Sequence, residues 1–250
     1  MNNLTNYHSH CDFCDGHAPM ELFVREAVKE GFSSYGVSSH APFPIQNGCN
    51  MQKEKMTAYL EEFRRLKQLY SSEIDLYIGL EIDFLDDSFN PSIDYFQSLP
   101  LDYRIGSVHY IVAPDGTPVD TDGSPERFRN YVDTYFDGDV KEVVHRFYRS
   151  SFRMIELGGF DFLGHLDKIG LNASLYCPGL DRESWYKKWV TDYLNQSEPI
   201  TLMFPSQPNS QCPQCKHSQS LITPRKIAPK HFEIDHHHEP CKNKNRNRNQ

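Results

Sequence analysis

The chain has 250 residues and a mass of 29.1 kDa, with 38% hydrophobic and 13% aromatic residues and a formal charge of −8. That length suits one α/β barrel or two small domains and buries a core without staples. The negative charge argues against a nucleic-acid partner held by bulk electrostatics, and no apolar run approaches the roughly 18 residues of a spanning helix. MNNLTNYHSH lacks the basic and apolar regions of a signal peptide. Seven cysteines follow no small-domain disulfide framework, so reduced thiols in a cytoplasm are expected.

In chain order, Asn6–His10 reads as a short strand. Met20–Glu30 follows as a helix, with Leu22, Phe23, Ala27 and Val28 on one side and Gly31 as its stop. Phe32–Ser39 reads as a buried strand, and Pro42 and Pro44 mark a loop. Gln52–Ser71 is the clearest helix, with Met56, Tyr59, Leu60, Phe63, Leu66 and Tyr70 at helical spacing. Strand Ile74–Phe84, a short helix near Ser92–Ser98 and strand Tyr103–Ile111 come next. Ala113–Ser124 reads as a loop. Two helices are expected between Pro125 and Gly158, the second with Val140, Val144, Phe147, Ser151 and Met154 on one face. Phe160–Leu166 is the next strand. This alternation predicts a parallel sheet with helical crossovers.

Residues 195–250 are a different kind of sequence. Residues 1–194 carry 18 Lys+Arg against 30 Asp+Glu, whereas the last 56 carry 8 against 4. All 14 glycines and 30 of 32 aromatics precede position 195; the remainder holds 7 of 16 prolines and ends in KNKNRNRNQ. So little apolar surface cannot offset the entropy of ordering, which predicts low order from about residue 195. The expected division is 1–194 as the domain and 195–250 as a polar tail. Either a natural extension or an out-of-frame reading of the coding sequence accounts for the switch.

Seven histidines lie in residues 1–194. His8, His10, His40, His109 and His165 each fall at or beyond the C-terminal end of a predicted strand, as does Glu81. In parallel α/β barrels the loops there converge on one site. Imidazole and carboxylate suit Zn, Mn and Fe. Any one of these histidines alone is more readily a structural residue; five with a glutamate are not. His145 sits among Val143, Val144 and Phe147 and reads as structural. Cys11 and Cys14 read as thiols packed beside the site. Cys212 and Cys215, a lone C-x-x-C, make a weak zinc signal.

These segments resemble the ordered motifs of PHP-domain phosphoesterases. They are His8-Ser9-His10 with Phe13-Cys14-Asp15-Gly16, Ser38-Ser39-His40-Ala41-Pro42, Gly79-Leu80-Glu81, Ile105-Gly106-Ser107-Val108-His109-Tyr110 and Gly164-His165-Leu166-Asp167. The histidinol-phosphatase branch is the nearest match, over about residues 5–194. The resemblance implies a distorted (β/α)7 TIM-like barrel, incomplete at its C-terminal end. It implies two or three divalent ions per chain, Zn, Mn or Fe. The implied metal ligands are His8, His10, Asp15, His40, Glu81, His109 and His165, with His17 an alternative to Asp15. Glu81 would bridge, and Glu81, His109 and Asp15 would carry catalysis. The family's last motif, S-D-A-H, has no counterpart here; Asp235 and His237 are the nearest residues.

Clustered divalent ions favour hydrolysis of a phosphate monoester. The implied substrate is L-histidinol phosphate, a small molecule in histidine biosynthesis, with neither nucleic acid nor membrane as partner; the oligomeric state stays open. Lys168 and Arg104 are candidates to hold phosphate, and Tyr110 and Phe43 to wall the substrate ring. Asp167 and Asp83 are candidates to fix histidine tautomers. Two other readings stand beside this one: another PHP phosphoesterase, acting on nucleotides or phosphotyrosine, and a truncated metal-binding chain without turnover.

Overall fold

The computed structural model describes residues 4–45, 47–197, 201–206 and 218–222. The chain runs β1 (Leu4–Asn6), α1 (Met20–Lys29), β2 (Phe32–Val37), α2 (Met56–Leu69), β3 (Asp75–Asp83), α3 (Asp94–Gln97) and β4 (Tyr103–Ser107). It continues β5 (Tyr110–Val112), β6 (Pro118–Asp120), α4 (Pro125–Tyr135), α5 (Val140–Leu157), β7 (Phe162–Leu163), α6 (Lys168–Tyr176), α7 (Ser184–Ser197), β8 (Thr201–Ser206) and β9 (Ser218–Ile222). One sheet has the order β1-β2-β3-β4-β7-β8-β9, with parallel pairing from β1 through β8 and β9 antiparallel to β8. This is the parallel sheet with helical crossovers that the alternation predicted, in the half-barrel form that the resemblance implied.

Helix boundaries follow local chemistry. Ser124 caps α4, its hydroxyl accepting from the Arg127 amide, and Pro125 takes the first turn, where a missing N–H costs nothing. Asp139 caps α5 by accepting from the amides of Lys141 and Glu142. Gly158 stops α5 at φ 68°, a conformation glycine adopts without penalty. All five predicted core residues of α5 are buried, as are Met56, Tyr59, Phe63 and Leu66 of α2. On α1 the buried face is Met20, Val24 and Ala27, with Leu22 left 42% exposed, so the predicted stripe is rotated.

Three strand expectations need correction. Tyr103–Ile111 is broken: β4 stops at Ser107 and β5 turns off to pair with β6, making a hairpin of what read as a loop. Phe160–Leu166 contracts to the two residues of β7. Strands also continue past residue 194, in the stretch read as a polar tail: β8 pairs with β7 and β9 with β8. The rest of the tail, including Asp235, His237, Cys212, Cys215 and KNKNRNRNQ, lies outside the described residues.

Close packing inside the sheet depends on glycine at two positions. A Cβ at Gly79 would strike the ring of Tyr103, and one at Gly36 its hydroxyl. Tyr103 cannot yield easily, because its hydroxyl donates to the Tyr7 carbonyl at 2.6 Å. Gly79→Ala is therefore expected to lower stability by about 1–3 kcal/mol, the usual cost of overpacking. Urea unfolding followed by circular dichroism would measure it, and an unchanged midpoint would contradict the packing account.

Candidate metal centre

The centre is built around β3. Glu81 has no solvent exposure. Its Oε2 lies 3.2 Å from His8 Nε2, 3.2 Å from His10 Nε2 and 3.2 Å from His40 Nδ1. Its Oε1 lies 3.4 Å from His165 Nδ1 and 3.5 Å from His109 Nε2, and accepts a 2.7 Å hydrogen bond from the Ser107 hydroxyl. The five strand-end histidines thus meet on one carboxylate.

Each arrives by its own route. His8 and His10 follow β1 two residues apart, so extended backbone puts both rings on one side. The Asn6 carboxamide accepts from the His8 amide at 3.0 Å, and Ser38 N–H donates to Ser9 O at 2.9 Å, which holds that segment along β2. His40 pairs as an isolated parallel bridge with Glu81 itself. His109 sits in the break between β4 and β5, and His165 just beyond β7.

Surrounding groups tune these rings. Burial draws the His8, His40 and His165 pKa values down, His40 to about 4, despite the pull of Glu81. These rings are neutral near pH 7, the state a metal ligand needs. Burial also opposes the charge on His109, but Asp83 and Glu81 outweigh it and raise His109 to about 9. Asp83 Oδ1 is 2.6 Å from His109 Nδ1, as expected of a carboxylate that orients a ligating ring. Burial pushes Asp15 up, but His10 and His40 together bring it down to about 2. Its carboxylate is 3.5 Å from His10 Nδ1 and 3.9 Å from His40 Nε2.

The donor set fits a metal. His8 Nδ1, His40 Nδ1 and His165 Nδ1 are buried without a hydrogen-bond partner. Two of them lie within 3.4 Å of Glu81 oxygens yet are not aligned for hydrogen bonds. Ligand atoms about 2.1 Å from one cation stand roughly 3.0–3.4 Å apart at ordinary coordination angles. Four overlapping groups each bring their candidate ligand atoms within 4.8 Å of one another: His8, Glu81 and His165; His10, His40 and Glu81; His10, Cys14 and Asp15; His40, Asp83 and His109.

Several expected residues stand elsewhere. His17 is exposed and belongs to none of these groups, because the turn closed by Gly16 N–H on the Cys11 carbonyl carries it past the site. Arg104 lies at the start of β4, the end remote from the centre, and its guanidinium donates to the carbonyls of Phe96, Gln97 and Leu99. Asp167 does not reach the His165 ring; it accepts from the hydroxyls of Tyr148 and Tyr186. Lys168 does lie near the centre, adding to the downward pull on His165, and it pairs with Asp122 at 2.9 Å. Tyr110 packs on Phe43 with ring centroids 5.0 Å apart. His145 packs on Trp189 in the helical layer. Sequence reasoning passed over Ser107, which stands in register opposite Asp83 and whose hydroxyl donates to Glu81.

Comparison with known proteins agrees with this geometry. The chain is 29% identical over 177 residues to a Deinococcus radiodurans protein named "Probable histidinol-phosphatase", covering 67% of this chain and 62% of that one. It is 26% identical over 160 residues to the Bacillus subtilis protein named "Histidinol-phosphatase", covering 59% and 58%. The chain thus spans about three-fifths of the length of these curated relatives. The crystal structure of a candidate histidinol phosphatase from Listeria monocytogenes superposes with a TM-score of 0.65 at 20% identity, over 80% of this chain and 81% of that one, which establishes a shared fold. A family model for the PHP domain matches residues 6–198. With that match running across most of its length and ending just past α7, the chain belongs to the PHP domain family.

Proposed function

We propose that the chain carries the metal-dependent phosphatase design of a histidinol-phosphate phosphatase, hydrolysing L-histidinol phosphate to L-histidinol and phosphate. The observation that carries this reading is the convergence of five imidazoles on the buried Glu81 carboxylate. His8, His10, Asp15, His40, Glu81, His109 and His165 would hold two or three divalent ions, with Zn, Mn and Fe the candidates. Such ions lower the pKa of water and neutralise charge as the P–O bond breaks. The chain's own groups do the rest. Asp83 holds His109 with its Nδ1 engaged and its Nε2 turned to the centre. Ser107 orients Glu81. Lys168, whose charge acts on the His165 ring, would meet a phosphate oxygen in exchange for Asp122. Phe43 and Tyr110 offer a flat apolar wall to an imidazole ring.

Removing metal tests this directly. Dialysis against a chelator should abolish phosphate release, and added Mn, Zn or Fe should restore it. Full turnover in excess chelator would end the metal-dependent reading. A panel of L-histidinol phosphate, nucleotides and phosphotyrosine would distinguish this substrate from those of other PHP phosphoesterases.

A second reading concerns this chain as it stands. The sequence lacks S-D-A-H, and the composition break at residue 195 would divide a phosphatase unit, 1–194, from a tail of another kind, of which only β8 and β9 join the sheet among the described residues. On this reading turnover is low, and fusing residues 1–194 to the C-terminal strands of an intact relative raises it. Fast turnover in the unaltered chain, lost on cutting after Leu194, would instead assign the tail a part in the site.

A further inference from the structure

His165 differs from the other four histidines in its backbone. Its φ is +39°, in the left-handed region; among the described residues only Asp137 shares this without being glycine. A non-glycine residue held there stores strain and persists only where its surroundings over-determine it. The imidazole does not supply that constraint, since its Nδ1 makes no hydrogen bond.

The constraint lies two residues on. Asp167 Oδ1 accepts hydrogen bonds from the Tyr148 hydroxyl at 2.8 Å and the Tyr186 hydroxyl at 2.7 Å. Tyr148 belongs to α5 and Tyr186 to α7, and both rings are buried. A carboxylate receiving two phenols is charge-assisted, and losing it would leave two buried hydroxyls without that acceptor. Tyr148 is itself fixed, stacked on Trp189 at an interplanar angle of 10°. The Asp167 side also has no slack: a Cβ at Gly170 would run into its carboxylate and the Tyr186 hydroxyl. Between the anchor and the strained residue, Lys168 N–H donates to the His165 carbonyl at 3.1 Å, closing a short turn.

We propose that Asp167, clamped by Tyr148 and Tyr186, is the positioning residue that keeps His165 in its left-handed conformation and so sets its ring beside Glu81. Helix α7 is thereby tied to the metal centre without contributing a ligand. This inference rests on the reading of the histidines and Glu81 as a metal centre.

Cobalt(II) is a suitable probe, because its visible absorption reports the ligand set apart from any turnover. The unaltered chain, Asp167→Asn, Tyr186→Phe and His165→Ala would be titrated with Co(II), with thermal unfolding of each metal-free form alongside. Asp167→Asn is expected to weaken one Co(II) site by about tenfold to a hundredfold, the scale of lost outer partners of ligating histidines. Its spectrum should move toward that of His165→Ala, and Tyr186→Phe should shift the same way by less, while both still unfold cooperatively. Native Co(II) affinity and spectrum in Asp167→Asn and Tyr186→Phe, with one site lost in His165→Ala, would overturn the positioning role. If Asp167→Asn does not fold, Tyr186→Phe, which removes one hydroxyl, decides on the same criterion. Failure of the unaltered chain to bind Co(II), or native binding by His165→Ala, would overturn the metal-centre reading and this inference with it.

Discussion

Replacing Glu81 by alanine is expected to strip the centre of metal and reduce phosphate release by at least about a thousandfold, on the order of 4 kcal/mol of transition-state stabilisation. The size follows from its position. Glu81 belongs to two of the four compact donor groups, so one substitution removes a ligand from both. It is also the fully buried anion against which five imidazoles are gathered. Burial favours its neutral form, yet the surrounding histidines outweigh burial and hold its carboxyl well below the usual range. Glu81→Gln separates charge from shape: it fills the same volume and can still accept from Ser107, but it cannot balance cations. Metal per chain by mass spectrometry after gel filtration, with phosphate release from L-histidinol phosphate, measures both variants. A Glu81→Ala chain that retains native metal content would refute the central role of this carboxylate. His17→Ala is the matched control, since that side chain stands exposed outside every donor group.

The site was legible in sequence because its donors are tied to strand ends, and strand ends are what hydrophobic alternation marks best. Glu81 and His109 each close a run rich in Val, Ile, Leu and Gly, and His40 follows the buried strand of Tyr35 and Val37, so the barrel rule alone gathers them. What stayed hidden depended on direction. Arg104 and Lys168 both lie near a strand, but Arg104 is at the start of β4 and Lys168 beyond the end of β7; only the second faces the centre. Asp83 and Asp167 each stand two residues beyond a candidate ligand, yet only Asp83 meets an imidazole. Asp83 lies within β3, where residues two apart share a face. Asp167 lies beyond the left-handed turn at His165, which redirects the chain. The β5–β6 hairpin escaped for a related reason: Pro114, Asp115 and Gly116 signal a turn, but three-residue strands have no periodicity to read.

Metal uptake should release protons, and affinity should rise steeply with pH. In the metal-free chain, burial disfavours charge on His109 but Asp83 raises it to about 9; burial opposes charge on His10 as well, but Asp15, Cys14 and Glu81 raise it. Both rings are protonated at neutral pH, whereas His8, His40 and His165 are not. Ligation needs the free nitrogen, so two protons must leave, and affinity should climb by up to about a hundredfold per pH unit from 7 to 8, with the His109 share of that slope fading above about 9. Stability of the metal-free chain follows the same signs. The folded value of His109 lies above its ordinary 6.5, so its contribution is complete below 6.5 and is lost as pH rises through about 9. The folded value of His40 lies below 6.5, so its contribution is present above 6.5 and is lost as pH falls through about 4. Metal therefore stabilises the fold most on the alkaline side, where the ion replaces the departing protons. Calorimetric titration with Mn(II) at pH 7, in two buffers of different ionisation enthalpy, counts the protons: about two are expected. In Asp83→Asn the count should fall toward one, because the His109 ring loses the carboxylate that keeps it protonated. Release of no protons in the unaltered chain would mean that all five imidazoles are neutral before metal arrives, and the charge balance derived for the centre would be wrong.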